Sequence, residues 1–377
     1  MLINQEKFKQ VCATISSAID ASELSQLTNT LELKVVDKQL FLNITNLEYF
    51  LAVRIYTPIT DEDANFIATV NASIFVKLVS QITTDTIELT VIDNSLILKG
   101  NGTYKLPLIY NEDKLLELTP IVINNVTSSM NIDSSILRSI LTFNSKQLLT
   151  DVAQDLRHKL YYIDDKGAIT YQNCACINNF VLEKPIKILL DNKLVKLFKL
   201  FESDSVYFEL GYDALTDNVV QTKIRIVSND ITLTAILSCD DTLLNSIPVN
   251  AIRSLADEIY PYSVNINKDL LLQAINRASI LMGIDDKVDK ITNILNLTFT
   301  ADGVEISGNN NQTLEKVPYT FNESLVDCYS VSVKLNHLKL TLESCIEPYI
   351  TINLGGRPAL VIKRLNITNI IPKATTV

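Results

Sequence analysis

Twelve cationic side chains of this sequence fall on six short segments with helical spacing: Lys7 and Lys9, then Lys77, then Arg138 and Lys146, then Lys193, Lys196 and Lys199, then Lys268 and Arg277, and finally Lys334 and Lys339. The segments are 5–19, 72–82, 134–147, 191–202, 268–281 and 333–344. They hold only five acidic residues, Glu6, Asp191, Glu202, Asp269 and Glu343, so their net charge is +7. The whole chain carries −10, which leaves −17 for everything outside them. Such a distribution draws phosphates to helical faces and repels them elsewhere. Lysine is a flexible point charge, so the expected contact is loose and blind to base sequence.

Bond-breaking chemistry has little to work with. The two histidines, His158 and His337, lie far apart in the chain, and each is expected at a surface or helix-lining position. Six cysteines are scattered along the chain, and only Cys174-Ala175-Cys176 forms a close pair. No second half of a zinc site accompanies that pair, so the thiols are expected to be reduced and mostly buried. No Gly-rich phosphate loop, HExxH helix or nucleophile elbow is present. The expectation is a protein that is no enzyme and takes neither metal nor cofactor.

The elements that must carry the cations repeat three times. Helical spacing begins near Gln5, Asp133 and Lys268, and again near Ala72, Asn192 and Val333. Phe8, Val11, Cys12, Ile15 and Ile19 fall on one helical face, as do Leu270, Leu271, Ala274, Ile275 and Ala278. Between helices the period drops to two, as in Leu31, Leu33, Val35 and Leu40, Leu42, Ile44 on either side of Asp37-Lys38. Similar polar breaks occur at Asp93-Asn94-Ser95, Asp164-Asp165-Lys166-Gly167 and Ala301-Asp302-Gly303. A repeat of roughly 125–135 residues is domain-sized, far longer than that of solenoids. The reading is α+β, with two helices backed by antiparallel sheet in each repeat.

Boundaries follow from where the pattern restarts: domains at 1–122, 123–258 and 259–377, joined near Thr119–Asn125 and Asp257–Pro261. Neither join is Gly/Ser-rich, so the domains are expected to hold a fixed orientation. With 47% apolar and 20% charged residues, and no long uncharged apolar run, no membrane association is expected. The stretch Met1–Lys7 lacks a hydrophobic signal region, which points to the cytoplasm.

The residues also resemble a known family. Leu27-Thr28-Asn29-Thr30-Leu31-Glu32-Leu33 and Leu40-Phe41-Leu42-Asn43-Ile44-Thr45-Asn46-Leu47-Glu48 are similar to the first-domain pattern of the bacterial DNA polymerase III beta subunit, the sliding clamp. Thr69-Val70-Asn71-Ala72 and the following helix, with Ile87-Glu88-Leu89 and Leu96-Ile97-Leu98, continue the likeness. Ala274-Ile275-Asn276-Arg277-Ala278-Ser279-Ile280-Leu281 repeats it in the third domain.

That resemblance implies three DNA-clamp domains forming a half-ring, and a homodimer closed head to tail around duplex DNA with the helices inside. It implies processivity without catalysis: the ring tethers a replicative polymerase and is opened by a clamp loader. Both partners dock through short linear motifs. The twelve cations would face the DNA without reading its sequence. Tyr104 and Leu106 match the family's apolar pair on the closing edge, and Ile280 and Leu281 match their counterparts. The partner groove would be walled by Leu160, Cys174, Cys176, Ile177, Leu360, Val361 and Ile362.

The chain departs from the pattern in several places. Cys174-Ala175-Cys176-Ile177-Asn178 replaces an Asp-Gly-His-Arg-Leu type turn, and Asp240-Asp241-Thr242-Leu243 replaces Gly-Arg-Phe-Pro. Residues 366–377 read as a C-terminal extension, and Glu23 stands where the family often has a basic residue. The alternative function is a monomeric, clamp-like binding or decoy protein that engages clamp partners without encircling DNA.

Overall fold

The computed structural model describes residues 1–19, 26–145, 155–172, 174–216, 219–237, 241–282, 294–308, 314–322 and 328–374, with backbone alone at 215, 216, 219, 281, 282 and 320–322. The first module runs β1 (Leu2–Asn4), α1 (Gln5–Ser16), β2 (Thr30–Val36), β3 (Gln39–Thr45), β4 (Tyr49–Ile55), β5 (Ile67–Asn71), α2 (Ala72–Gln81), β6 (Thr86–Ile92), β7 (Ser95–Lys99) and β8 (Thr103–Pro107). A small hairpin of β9 (Tyr110–Asn111) and β10 (Lys114–Leu115) follows. The second module runs β11 (Val126–Asp133), α3 (Ser134–Ser139), β12 (Tyr161–Asp164), β13 (Gly167–Tyr171), β14 (Ala175–Asn179), β15 (Lys187–Leu190), α4 (Asn192–Lys196), β16 (Ser205–Thr216), β17 (Val219–Val227) and β18 (Ile231–Leu237).

Two further helices, α5 (Asp241–Ser246) and α6 (Val249–Ala256), precede the third module. That module runs β19 (Tyr262–Asn267), α7 (Lys268–Met282), β20 (Ile294–Phe299), β21 (Gly303–Gly308), β22 (Leu314–Asn322), β23 (Tyr329–Lys334), α8 (Leu335–Ser344), β24 (Tyr349–Leu354), β25 (Leu360–Lys363) and β26 (Ile367–Ile371).

Strand order repeats with the sequence. Each module has one half-sheet ordered fifth-second-third-fourth strand and another ordered first-sixth-seventh-eighth, and every pairing among the described residues is antiparallel. The last strand of one module completes the sheet of the module before it. β18 pairs with β4, with Leu233 opposite Leu51, and β26 pairs with β14, with Thr368 opposite Ile177. For this reason the chain forms two compact units that cut across the modules: Met1–Leu137 with Lys196–Ser238, and Arg138–Val195 with Cys239–Val377.

Within the first unit, β8 pairs with β7 on one side only. Within the second, the first half of β22 pairs with β21, while its far end crosses to β19 at Tyr319–Asn322. Among the described residues, β8 is therefore an end strand of its sheet, and the first half of β22 is paired on one side only.

Local chemistry explains where helices start. A strand ends in Asn or Asp whose side chain accepts a backbone N–H of the first helical turn, the N-cap arrangement. Asn4 accepts from Lys7 at 3.0 Å, Asn71 from Ile74 at 2.9 Å, Asp133 from Ser135 at 2.7 Å, Asp191 from Leu194 at 2.7 Å and Asn267 from Leu270 at 3.0 Å. The sixth junction, at Lys334, has no side-chain cap. Asp37 and Lys38 both adopt positive φ, 50° and 58°, as a two-residue turn between twisted strands requires.

The join between the first two modules is pinned by buried charge. Asp213 on β16 and Lys223 on β17 form an ion pair at 2.8 Å. The Asp213 carboxylate also accepts the backbone N–H groups of Asn124 and Asn125, and Lys223 donates to the Val122 carbonyl. Glu32 does similar work one step earlier, accepting from Asn43 at 2.7 Å and from the Leu118 N–H at 3.0 Å.

Three sequence expectations change. The segment beginning at residue 366 is no appended tail: Ile367–Ile371 is the eighth strand of the third module, with Ile367, Ile370 and Ile371 buried, and the Ala374 N–H bonds to the Ser332 carbonyl. Its alternation places apolar residues on both covered faces of a central strand. The second module's helices are shorter than expected: α3 passes into a π turn at Ile140–Asn144, and α4 into a 3₁₀ turn at Leu197–Leu200. Helices α5 and α6 add to the two helices expected of the second repeat, and Leu244, Ile247, Ile252 and Ala256 anchor them.

Candidate nucleic-acid interface and partner surface

Helices α1 and α2 pack side by side, with the rings of Phe8 and Phe75 edge to face at 5.6 Å. Burial of Phe8, Cys12 and Ile15 on α1, and of Phe75 and Val79 on α2, leaves Lys7, Lys9 and Lys77 exposed. The first unit contains a cleft of about 1190 Å³ that Lys7 and Lys199 both line, although they come from different modules. Gln10, Thr14, Ser17 and Glu202 share its wall. Arg54 borders it too, but Asp230 at 3.0 Å and the Asn229 carbonyl at 2.9 Å hold the guanidinium, which lies over the Tyr56 ring.

Arg138, Lys193 and Lys196 are exposed as well. In the second unit, α7 and α8 pack together, and Lys334 and Lys339 are half-buried. Two cations there are engaged. Arg277 forks onto Glu315 at 2.9 and 2.8 Å, and Lys268 is largely covered, donating to the Cys345 carbonyl and pairing with Asp269. Lys146 lies outside the described residues.

On the β8 edge, Tyr104 is half-buried while Leu106 turns inward opposite Leu96, only 9% exposed. Ile280 on α7 is 68% exposed, and Leu314 at the start of β22 is exposed too. The Leu281 side chain lies outside the described set.

The seven residues expected to wall a partner groove are all buried. The strand period explains the split. Leu360, Ile362 and Cys174 belong to the core of the third module, whereas Val361 points to the other face and joins Leu160 and Ile177. That second cluster is sealed by α5 and α6 through Leu244, Ile247, Ile252 and Ala256. Cys176 faces the π turn, where Asn144 donates to its carbonyl at 3.3 Å and its thiol contacts the Phe143 carbonyl.

Burial pushes the thiols of Cys174 and Cys176 up to about 12, so neither is a reactive thiolate. Among the described residues, no three His, Cys, Asp or Glu side chains gather as a metal site would require. His337, expected at a surface, is buried on α8, and burial together with nearby Lys334 lowers it to about 4. His158 packs edge to face on Tyr171 at 5.1 Å. No described helix is long and apolar enough to cross a membrane.

No family model matches the chain. Two curated relatives, each named beta sliding clamp, come from Helicobacter pylori strains J99 and 26695; both are 22% identical, over 228 and 232 residues. These matches cover 57% and 58% of this chain, which spans 60% and 61% of the relatives' lengths. Among solved structures, the DNA polymerase beta subunit of Streptococcus pyogenes superposes with a TM-score of 0.79 at 14% identity, covering 100% of this chain and 99% of the other. The Bacillus subtilis sliding clamp gives 0.78 at 13% identity, with coverage of 100% and 99%, and the Pseudomonas aeruginosa DNA polymerase III subunit beta gives 0.78 at 15%, with 100% of both.

The fold is that of a sliding clamp. The sliding-clamp fold accounts for the threefold strand order and for α1, α2, α7 and α8 lying on sheets; the sequence missed α6 and the caps. An Asn or Asp just before five of the six helical patterns was the available signal for the caps.

Proposed function

We propose that this chain is a DNA sliding clamp: two copies close head to tail into a ring around duplex DNA and tether a replicative polymerase, without chemistry of their own. One observation carries the reading. Twice in the chain the eighth strand of a module completes the fourth strand of the preceding one, and the same rule leaves β8 and β22 for each other in a second copy. Such a contact is head to tail and closes if the rotation allows, hiding both open ladders.

The domains are assigned as 1–122, 123–258 and 259–377, with Tyr104, Leu106, Ile280 and Leu281 at the closing seam. The exposed cations, Lys7, Lys9, Lys77, Arg138, Lys193, Lys196 and Lys199 foremost, would meet phosphates. Contacts of this kind hold a duplex loosely enough to slide, and residence then depends on closure. A polymerase and a loader would dock on the outer sheet face around Leu160, Ile177 and Val361.

Two measurements test this. Light scattering on the native particle should give about twice the 42.2 kDa of one chain. Loaded protein should stay on nicked circular DNA and leave linear DNA by its ends. A one-chain mass, with equal loss from both substrates, overturns the ring and favours the monomeric, partner-binding alternative.

A further inference from the structure

The sheet face proposed for partner docking already has a tenant. Helix α6 is amphipathic: Ile252 and Ala256 are buried, Val249 and Leu255 pack beside them, and Asn250, Ala251 and Ser254 look outward. Its apolar side lies in one cluster with Leu160, Ile177 and Val361, the residues that partners would otherwise meet, and with Ile370 of β26.

The attachment is light. Eight residues are too few to sustain a helix alone, and Pro248 at its start supplies no side-chain cap. Besides the small apolar face of Ile252 and Ala256, what fastens it to the body is polar and peripheral: Arg253 to Asp164 at 2.7 Å, with Asp164 also accepting from Tyr162, and Arg357 to Ser254 at 3.2 Å and Glu258 at 3.1 Å. A short amphipathic helix in an apolar depression is also how many partner segments bind.

We propose that α6 is a resident occupant of the partner surface, and that an apolar segment of a partner protein binds there by displacing it. The Arg253–Asp164 pair sets how readily it leaves. This inference rests on reading that face as the docking site.

The probe is a fluorescein-labelled peptide of residues 248–258, which copies α6, titrated by fluorescence anisotropy against the full-length chain, R253Q and I252D. R253Q removes only the ion pair and keeps the apolar face, so it serves where I252D fails to fold. Apparent affinity scales with the fraction of molecules whose face is open, so I252D should bind about tenfold more tightly than wild type, with R253Q between them. Equal affinity for all three, or binding by none, overturns the proposal. Retention on nicked circles, measured on the same proteins, separates the two readings. Its loss throughout overturns the ring and leaves the displacement result standing, whereas full retention with flat titrations overturns displacement alone.

Discussion

Asp213 and Lys223 reach diagonally across neighbouring strands to pair at 2.8 Å, both nearly out of reach of water, and together they grip the peptide groups of Val122, Asn124 and Asn125. The pair therefore holds the join between two modules as well as a sheet. Removing one partner strands the other charge. Asp213→Ala should destabilise by about 3 kcal/mol or more. Lys223 holds the Asp213 carboxyl below its usual range. Its contribution is thus present above the ordinary carboxylate pKa and is lost as pH falls through the lower folded value. Urea titrations of wild type and variant from neutral pH downward measure both effects, and a variant as stable as wild type refutes the assignment.

The Asn caps offer a test of local origin. Asn71→Ala leaves the Ile74 N–H without its acceptor and should cost about 1 kcal/mol, with Asn71→Ser recovering most of it. Thermal melts of the two variants suffice to tell them apart.

His337 supplies a pH signature of its own. Folded, it is lowered to about 4 by burial and by Lys334, whereas the unfolded side chain titrates near its ordinary 6.5. Below that ordinary value the unfolded state takes up a proton that the folded state refuses. Stability is therefore full above it and falls until the folded pKa is passed. After allowance for solvent screening the loss is about 1–2 kcal/mol. His337→Phe should flatten the melting temperature between these two values; a slope as steep as that of wild type excludes this residue as its source.

Lys7 and Lys199 line the same cleft, so they should act on the same stretch of DNA. Replacing both with alanine should lower the salt dependence of duplex binding, reducing the log–log slope by about 0.9 for each phosphate that is no longer neutralised. Replacement of exposed Lys38, which pairs with Asp61, provides the control. If the control shifts the slope as much as the double variant does, the cleft has no special part in binding.

Much of the architecture was legible because periodicity is a local property. Alternation at Leu31–Val35 and Leu40–Ile44 gave a hairpin, and Phe8, Cys12 and Ile15 gave a helix with the buried face that α1 shows. Tertiary relations were less accessible. Ile367–Ile371 looked like a tail because nothing local says that β14 and β25 flank it. Likewise, the short apolar spacing of Val249, Ile252 and Ala256 acquires meaning only from the face it covers.

The cations were legible as a set, but not individually. A count of charges cannot foresee that Glu315 claims Arg277 or that the Cys345 carbonyl claims Lys268. Nor does a resemblance in sequence tell which core each side of β25 meets, and so Leu360 and Ile362 were grouped with Val361 although they face another core.

Because the first and second modules each borrow the final strand of the next, and the second and third each lend theirs, no third of this polypeptide is a self-sufficient piece. Cutting after β18 would strip β14 of β26, and starting at β11 would leave β18 without β4. Truncations at module borders should therefore yield sticky, poorly soluble fragments, and loss or gain of a whole repeat is a step this architecture resists.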